Sequence, residues 1–177
     1  MNALSKMFGV HTSSVLKWIR RYATTHGAKP ERTGKAMVLE LDEVWHFLKK
    51  KRQKLWIWKA RDRATGQLLD WECGRRDRAT LNRLVDRLNH WAVTYYCTDH
   101  WKTYAAVIPA EKLVMSKAKT HGIERNHCRQ RHWFGRFKRR SIIVSRAKEM
   151  VDLTMALFAR FRVNGDVSEI FTLGMIT

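Results

Sequence analysis

Three acids stand where chemistry is plausible: Asp42, Asp99 and Glu124. Asp99 closes the aromatic, β-branched run Trp91-Ala92-Val93-Thr94-Tyr95-Tyr96-Cys97-Thr98-Asp99-His100-Trp101, whose composition predicts a strand ending on a carboxylate. Sites in open α/β sheets form beyond the carboxyl ends of strands, although a lone Asp there also serves as a turn or helix cap. Asp42 lies in residues 38–47, which alternate as a strand, with Val38, Glu40, Asp42 and Val44 on one face and Leu39, Leu41, Glu43 and Trp45 on the other. A carboxylate among apolar strand residues is costly, and two close together more so. A hard divalent cation such as Mg²⁺ would cancel that repulsion. Simpler readings stay open: Asp42 pairs with a Lys, or Glu40 or Glu43 is the inward acid. Glu124 opens a helix that starts near Thr120. It is the single acid among eleven Lys/Arg in residues 117–148, an odd choice for a merely solvated face. Its rival is Glu111, which follows Pro109-Ala110 in a loop.

Bringing such acids together requires a sheet. Residues 55–60 and 67–73 read as second and third strands, after turns at Lys49–Arg52 and Thr65-Gly66, so the first three strands form an antiparallel meander. Leu81, Leu84, Val85, Leu88 and Trp91 recur at i, i+3, i+4, i+7 and i+10, predicting a helix from Thr80 to Trp91. That helix is a crossover, which leaves the first strand free to lie beside the strand ending at Asp99. Ser145 is expected to cap a last helix that buries Met150, Leu153, Leu157, Phe158 and Phe161 and stops at Asn164-Gly165.

Lys+Arg exceed Asp+Glu by 35 − 16 = 19, so a polyanionic partner is expected. The cations are interspersed with aromatics rather than set on one amphipathic face, which favours nucleic acid over a membrane surface. There is no signal peptide and no apolar run long enough to span a bilayer. Cys73, Cys97 and Cys128 form no CxxC pair, which argues for a reducing cytosol and against a disulfide frame. His127, Cys128 and His132 fall short of a zinc ligand set. Residues 4–22 read as helix, Gly9 turn, helix, with Thr12 or Ser13 as cap and Val10, Val15 and Ile19 facing inward. Ser13, Ser14, Lys17 and Arg20 would face bases and phosphates, as in a DNA-binding helix-turn-helix. Only three residues precede Leu4, so the module is partial; the chain is expected to begin inside a longer reading frame and to bind specific DNA poorly by itself. Near the other end, Arg136, Lys138, Arg139 and Arg140 are expected to contact phosphates, and Trp133, Phe134 and Phe137 to pack.

An early strand Asp, a Thr-Gly turn, a helix and a strand ending in Thr-Asp resemble the ribonuclease H-like core of DDE transposases and retroviral integrases. Leu41-Asp42-Glu43, Tyr96-Cys97-Thr98-Asp99, His121-Gly122-Ile123-Glu124-Arg125-Asn126 and Arg131 narrow this. With them the chain resembles, over nearly its whole length, the InsB-type transposases of the IS-one class of bacterial insertion sequences. The resemblance implies an α/β fold: a ribonuclease H-like mixed sheet flanked by helices and preceded by a partial helix-turn-helix. The expected division is a DNA-binding segment at 1–23, a linker at 24–36, a catalytic domain at 37–163 and a tail at 164–177. Also implied is a DDE-type polynucleotidyl transferase in which Asp42, Asp99 and Glu124 hold two Mg²⁺ or Mn²⁺ ions. Such an enzyme cleaves element ends and transfers the resulting 3′-OH into target DNA. His121 would position the attacking hydroxyl or a phosphate, and Arg131 would hold the DNA end. The implied partners are double-stranded DNA, at element ends and target, and further copies of the chain in a synaptic complex. The implied setting is the bacterial cytoplasm, near the nucleoid and away from membranes. Two rivals are a truncated, non-catalytic DNA-binding regulator and a tyrosine recombinase using Tyr104, although that tyrosine precedes the main Arg and His cluster.

Overall fold

Alternating segments joined by short turns must pair with their neighbours, and β1 (Val38–Phe47), β2 (Lys54–Asp62) and β3 (Leu68–Gly74) form the antiparallel meander. The β2–β3 turn relies on Gly66 at φ +78°, a backbone that side chains rarely adopt. The computed structural model describes residues 1–27, 29–30, 38–138, 143–166 and 168. Arg139, Arg140, most of the expected linker and most of the expected tail lie outside these residues.

After the meander, α3 (Arg78–Leu88) crosses over to β4 (Tyr95–Thr98), which pairs in parallel with β1. A three-residue strand, β5 (Leu113–Met115), adds in parallel to β4 and was not foreseen, because so short a segment shows no alternation. The strand order is β3-β2-β1-β4-β5, a mixed sheet with helices on both faces, as expected. Helix α3 begins two residues earlier than its apolar spacing suggests, because Asp77 caps it: the carboxylate accepts from Thr80 N at 2.8 Å and from Thr80 Oγ1 at 2.7 Å. Replacing Asp77 by Ala is expected to destabilise the fold by about 1 kcal/mol, measurable as a lower urea midpoint at unchanged slope.

One face of the sheet buries Leu39, Leu41, Trp58 and Ala60 under Leu81, Leu84, Val85 and Leu88 of α3. The other buries Val44, Ile57, Leu68 and Trp71 under Val151, Met155 and Phe158 of α5 (Lys148–Phe158). On this second face α4 (His121–Trp133) crosses β1 and β2. Ser145 does not cap α5. Its hydroxyl pairs with His46 Nε2 at 2.8 Å, and the N-cap position belongs to Ala147. A π-helical stretch, Ala159–Asn164, follows α5 and ends beside Gly165; the Asn164 amide bonds the backbone of Leu68 in both directions.

At the front, α1 (Asn2–Met7) and α2 (Thr12–His26) meet at Gly9, φ +61°. The cap of α2 is His11, whose ring accepts from Ser13 N, rather than Thr12 or Ser13. Helix α2 runs past residue 23 and packs on α5: Ala23 is buried, Gly27 abuts Ala156, and Tyr22 stacks on Phe161. No helix among the described residues is long and apolar enough to cross a membrane.

Candidate active site

Parallel pairing of β1 with β4 brings the two aspartates to neighbouring strands. The ladder pairs Val38 with Tyr95, Leu39 with Tyr96 and Glu40 with Cys97, a constant offset of 57; two residues further, 42 + 57 = 99. Asp99 follows β4 and uses Oδ1 to accept from Trp101 N at 3.0 Å, so it makes the expected turn. Asp42 accepts from Glu43 N at 2.8 Å. Burial holds its carboxyl up at about 7; the Glu43 N–H opposes this, and the charges of Glu43, Asp99 and Glu124 add to it. Asp99 and Glu124 are therefore each within electrostatic reach of Asp42.

Glu124 sits in the first turn of α4, exposed, with Oε1 3.5 Å from Thr120 Oγ1. Helix α4 approaches the sheet closely because Gly122 lies directly on the Glu40–Arg61 ion pair; a Cβ there would overlap both the Arg61 guanidinium and the Glu40 carboxylate. Its buried face is Ile123, Asn126, His127 and Gln130, which leaves Glu124 and Arg131 on one flank and exposes His121 at its start. Among the described residues, no three His, Cys, Asp or Glu side chains form a group that could hold a metal ion as they stand. The donor chemistry nonetheless fits a hard divalent ion. All three are carboxylate oxygens, the Asp99 and Glu124 charges add to the proton affinity of Asp42, and Glu124 is exposed enough to change rotamer.

The simpler readings of these acids resolve individually. Glu40 pairs with Arg61 at 3.1 Å. Glu43 is inward, but on the α3 face, where Arg76 Nε at 2.6 Å and Tyr104 Oη at 3.0 Å both donate to it. Arg76 itself lies between the rings of Trp56 and Trp101, 4.9 and 4.8 Å from their centroids. Among the described residues Asp42 has no Lys ion pair. Its nearest basic group is His127 Nδ1, 3.6 Å from Oδ2. That is longer than a hydrogen bond, and burial together with Lys59 and Arg131 keeps the imidazole neutral, so the contact is not an ion pair. Glu111 is exposed in the turn before β5. Tyr104 is fully buried, and burial followed by the Glu43 charge pushes its phenol well above the ordinary range, which removes it as a nucleophile. His127 is buried while Cys128 and His132 are exposed, so the zinc set does not converge.

The predicted cations divide. Ser13, Lys17, Arg20 and Lys138 are exposed and Ser14 is half-buried; Arg20 Nε also touches Met150 Sδ at 3.2 Å. Arg131 is half-buried and, with Glu43, Val44, Trp45 and Trp56, lines a cleft of about 440 Å³. Arg136 is half-buried and donates to the Met150 carbonyl at 3.2 Å. Phe134 and Phe137 pack in the core, whereas Trp133 is exposed beneath the Arg162 guanidinium. Sequence reasoning gives Lys59 no role, quotes Asn126 only within a motif and weighs His127 only as a zinc ligand; all three lie on the Asp42 face of the sheet. The available signal was a lone cation between Trp58 and Ala60 in an otherwise apolar strand.

Comparison with known proteins adds independent findings. The family model described as IS1 transposase matches residues 36–163. The InsB protein of insertion element iso-IS1n from Shigella dysenteriae is 31% identical over 123 residues, 70% of this chain and 94% of that protein. The IS1 InsB protein of Shigella flexneri is 32% identical over 113 residues, 64% of this chain and 86% of its own. An IS1 InsB protein of Escherichia coli K12 is 29% identical over 144 residues, 80% of this chain and 84% of its own. Among solved structures, the catalytic core domain of BIV integrase superposes with a TM-score of 0.47 at 13% identity, covering 79% of this chain and 95% of that one.

Proposed function

This chain belongs to the IS1 transposase family, and we propose that it is the catalytic subunit, a DDE-type polynucleotidyl transferase. It cleaves DNA at the ends of its insertion element and joins the freed 3′-OH to target DNA. The observation that carries this reading is the parallel β1–β4 pairing that sets the Asp42 strand beside the one leading to Asp99, with α4 and its Glu124 lying across β1. The Asp42 carboxyl is pushed up to about 7 chiefly by burial, and the Glu43, Asp99 and Glu124 charges add to this. A buried carboxylate that feels two further carboxylates, inside a chain of net charge +19, suits an ion-dependent site acting on a polyanion.

Asp42, Asp99 and Glu124 would hold two Mg²⁺ or Mn²⁺ ions. When bound, such ions supply Lewis acidity and stabilise the attacking and leaving oxygens of phosphoryl transfer. His121, one turn before Glu124, orients the attacking hydroxyl or a phosphate. Arg131, two turns after Glu124 on the same flank, holds a phosphate of the DNA end. Arg136, Lys138, Arg139 and Arg140 extend the phosphate contacts from the end of α4. Ser13, Ser14, Lys17 and Arg20 on α2 add a second contact, so that 1–23 acts as a DNA-binding segment joined by 24–36 to a catalytic unit at 37–163. Holding two element ends at once calls for more than one copy of the chain, in the bacterial cytoplasm where the DNA lies.

The test is a nicking assay on labelled element-end DNA. Cleavage that needs Mg²⁺ or Mn²⁺ and leaves a 3′-OH is expected. Metal-independent binding without nicking would identify a non-catalytic DNA-binding regulator instead. Arg131→Ala is expected to weaken binding to all sequences alike and to lower the salt slope by about 1, read from fluorescence anisotropy over a salt series.

A further inference from the structure

Lys59 sits mid-strand in β2 with 0% exposure, beneath α4. It is the cross-strand partner of Asp42, so the two side chains share a face of the sheet. Its Nζ donates to Asn126 Oδ1 at 2.8 Å and lies 5.4 Å from the Phe158 ring centroid. Asn126 is itself buried, two residues beyond Glu124 on α4. The next residue, His127, lays its ring against Asp42. Helix α4 is thus tied to β2 through Lys59–Asn126 and touches β1 through His127–Asp42. One turn earlier, Gly122 rests on the Glu40–Arg61 pair.

A buried amine among apolar side chains opposes folding unless it is bonded, and an apolar residue at position 59 would pack there without that cost. Its placement therefore calls for another explanation. Glu124 lies on the flank of α4, about 110° round the helix from the mean direction of its buried face. A small rotation of the helix about its axis therefore moves the carboxylate across the mouth of the site. We propose that Lys59 and Asn126 are positioning residues: their hydrogen bond fixes the rotation of α4 and so keeps Glu124 on the flank from which a rotamer change carries it to Asp42 and Asp99. This rests on the reading of the three acids as one divalent-ion site. Partners that orient ligands in this way change metal affinity when removed by about ten- to a hundredfold.

The test pairs Lys59→Met with Asn126→Leu, which replaces both bonded groups by apolar ones and leaves no buried polar atom orphaned. Mn²⁺ affinity is read by titrating the thermal midpoint of the 177-residue chain, with Glu124→Gln as reference. The double variant is expected to melt near the wild-type temperature without metal, yet to bind Mn²⁺ about ten- to a hundredfold more weakly. A purely structural role would move the metal-free midpoint and leave Mn²⁺ affinity alone; that outcome overturns the proposal. So does a wild-type Mn²⁺ response that Glu124→Gln does not alter. If the double variant fails to fold, Asn126→Ala answers the same titration: weakened Mn²⁺ binding supports the proposal and unchanged binding overturns it. Failure of the transposase reading looks different, as Glu124-dependent Mn²⁺ binding without any nicking of element-end DNA.

Discussion

Replacing Glu124 by Gln, or Asp99 by Asn, is expected to lower metal-dependent strand cleavage by about three orders of magnitude while the protein stays folded. Glu124 is exposed, so an amide there disturbs little packing. The amide oxygen of Asn can still accept the Trp101 N–H that Asp99 Oδ1 accepts at 3.0 Å. What changes is the negative charge available to hold a divalent ion. Ion-assisted stabilisation of phosphoryl transfer amounts to several kcal/mol, and each ~1.4 kcal/mol is a factor of ten in rate. Single-turnover nicking of a labelled element end, beside a circular-dichroism melt, measures both parts. Wild-type cleavage by either folded variant would remove that residue from the site.

The second large effect concerns pH. The folded-state Asp42 carboxyl titrates at about 7 against an ordinary 3.8, chiefly because it is buried. The folded chain therefore keeps this proton to higher pH than the unfolded chain does. Stability without metal is greatest below the unfolded value and falls as pH rises from about 4 through about 7. The displacement of 7 − 3.8 corresponds to roughly 4 kcal/mol at about 1.4 kcal/mol per unit, as an order of magnitude. Buried His46 and His127, held down by burial, titrate in the opposite sense. The loss is therefore read by urea unfolding in a chelator at pH 5 and pH 8 as the difference between wild type and Asp42→Asn, with Asp42→Asn gaining on wild type as pH rises and the more stable chain at pH 8. Divalent ions reverse the sign. Binding must displace the Asp42 proton, so Mn²⁺ affinity is expected to rise about tenfold per pH unit below pH 7 and to level off above it. A metal-free profile unaltered by Asp42→Asn would mean that burial of this carboxyl carries no such penalty.

Much of this arrangement is legible in the chain, for reasons that differ by element. Residues 38–47 alternate, and β1 forms over that range. Thr65-Gly66 marks the β2–β3 turn because a positive φ is needed there, and Gly66 supplies it. The spacing of Leu81, Leu84, Val85 and Leu88 gives the buried face of α3, but Asp77 sets where that helix begins, and Trp91 lies past its end. Periodicity reports which face is buried; capping reports where the helix stops and starts. Ser145 misled because a Ser near a helix start reads as a cap, whereas this one is spent on His46 across the sheet.

The acids were legible as candidates, and the crossover made it legible that the Asp42 strand lies beside the one leading to Asp99; the register and the approach of α4 were not. Asp42 and Asp99 become neighbours through the parallel β1–β4 register, and nothing in either segment alone encodes that offset of 57. Helix α4 owes its position to contacts between residues remote in sequence, Gly122 on the Glu40–Arg61 pair and Asn126 on Lys59. Such contacts follow from register and close approach, which composition and spacing do not carry. For the same reason Lys59 reads in the chain as an ordinary strand cation, although it is wholly enclosed.

The account depends on three carboxylates, separate along the chain, sharing divalent ions at the seam of β1, β4 and α4. Anomalous scattering from crystals of the protein grown with Mn²⁺ tests this most directly. Manganese is expected at the Asp42, Asp99 and Glu124 carboxylates, about 2 Å from their oxygens. Manganese bound elsewhere, or held at Asp42 with Glu124 still turned to solvent, would contradict it.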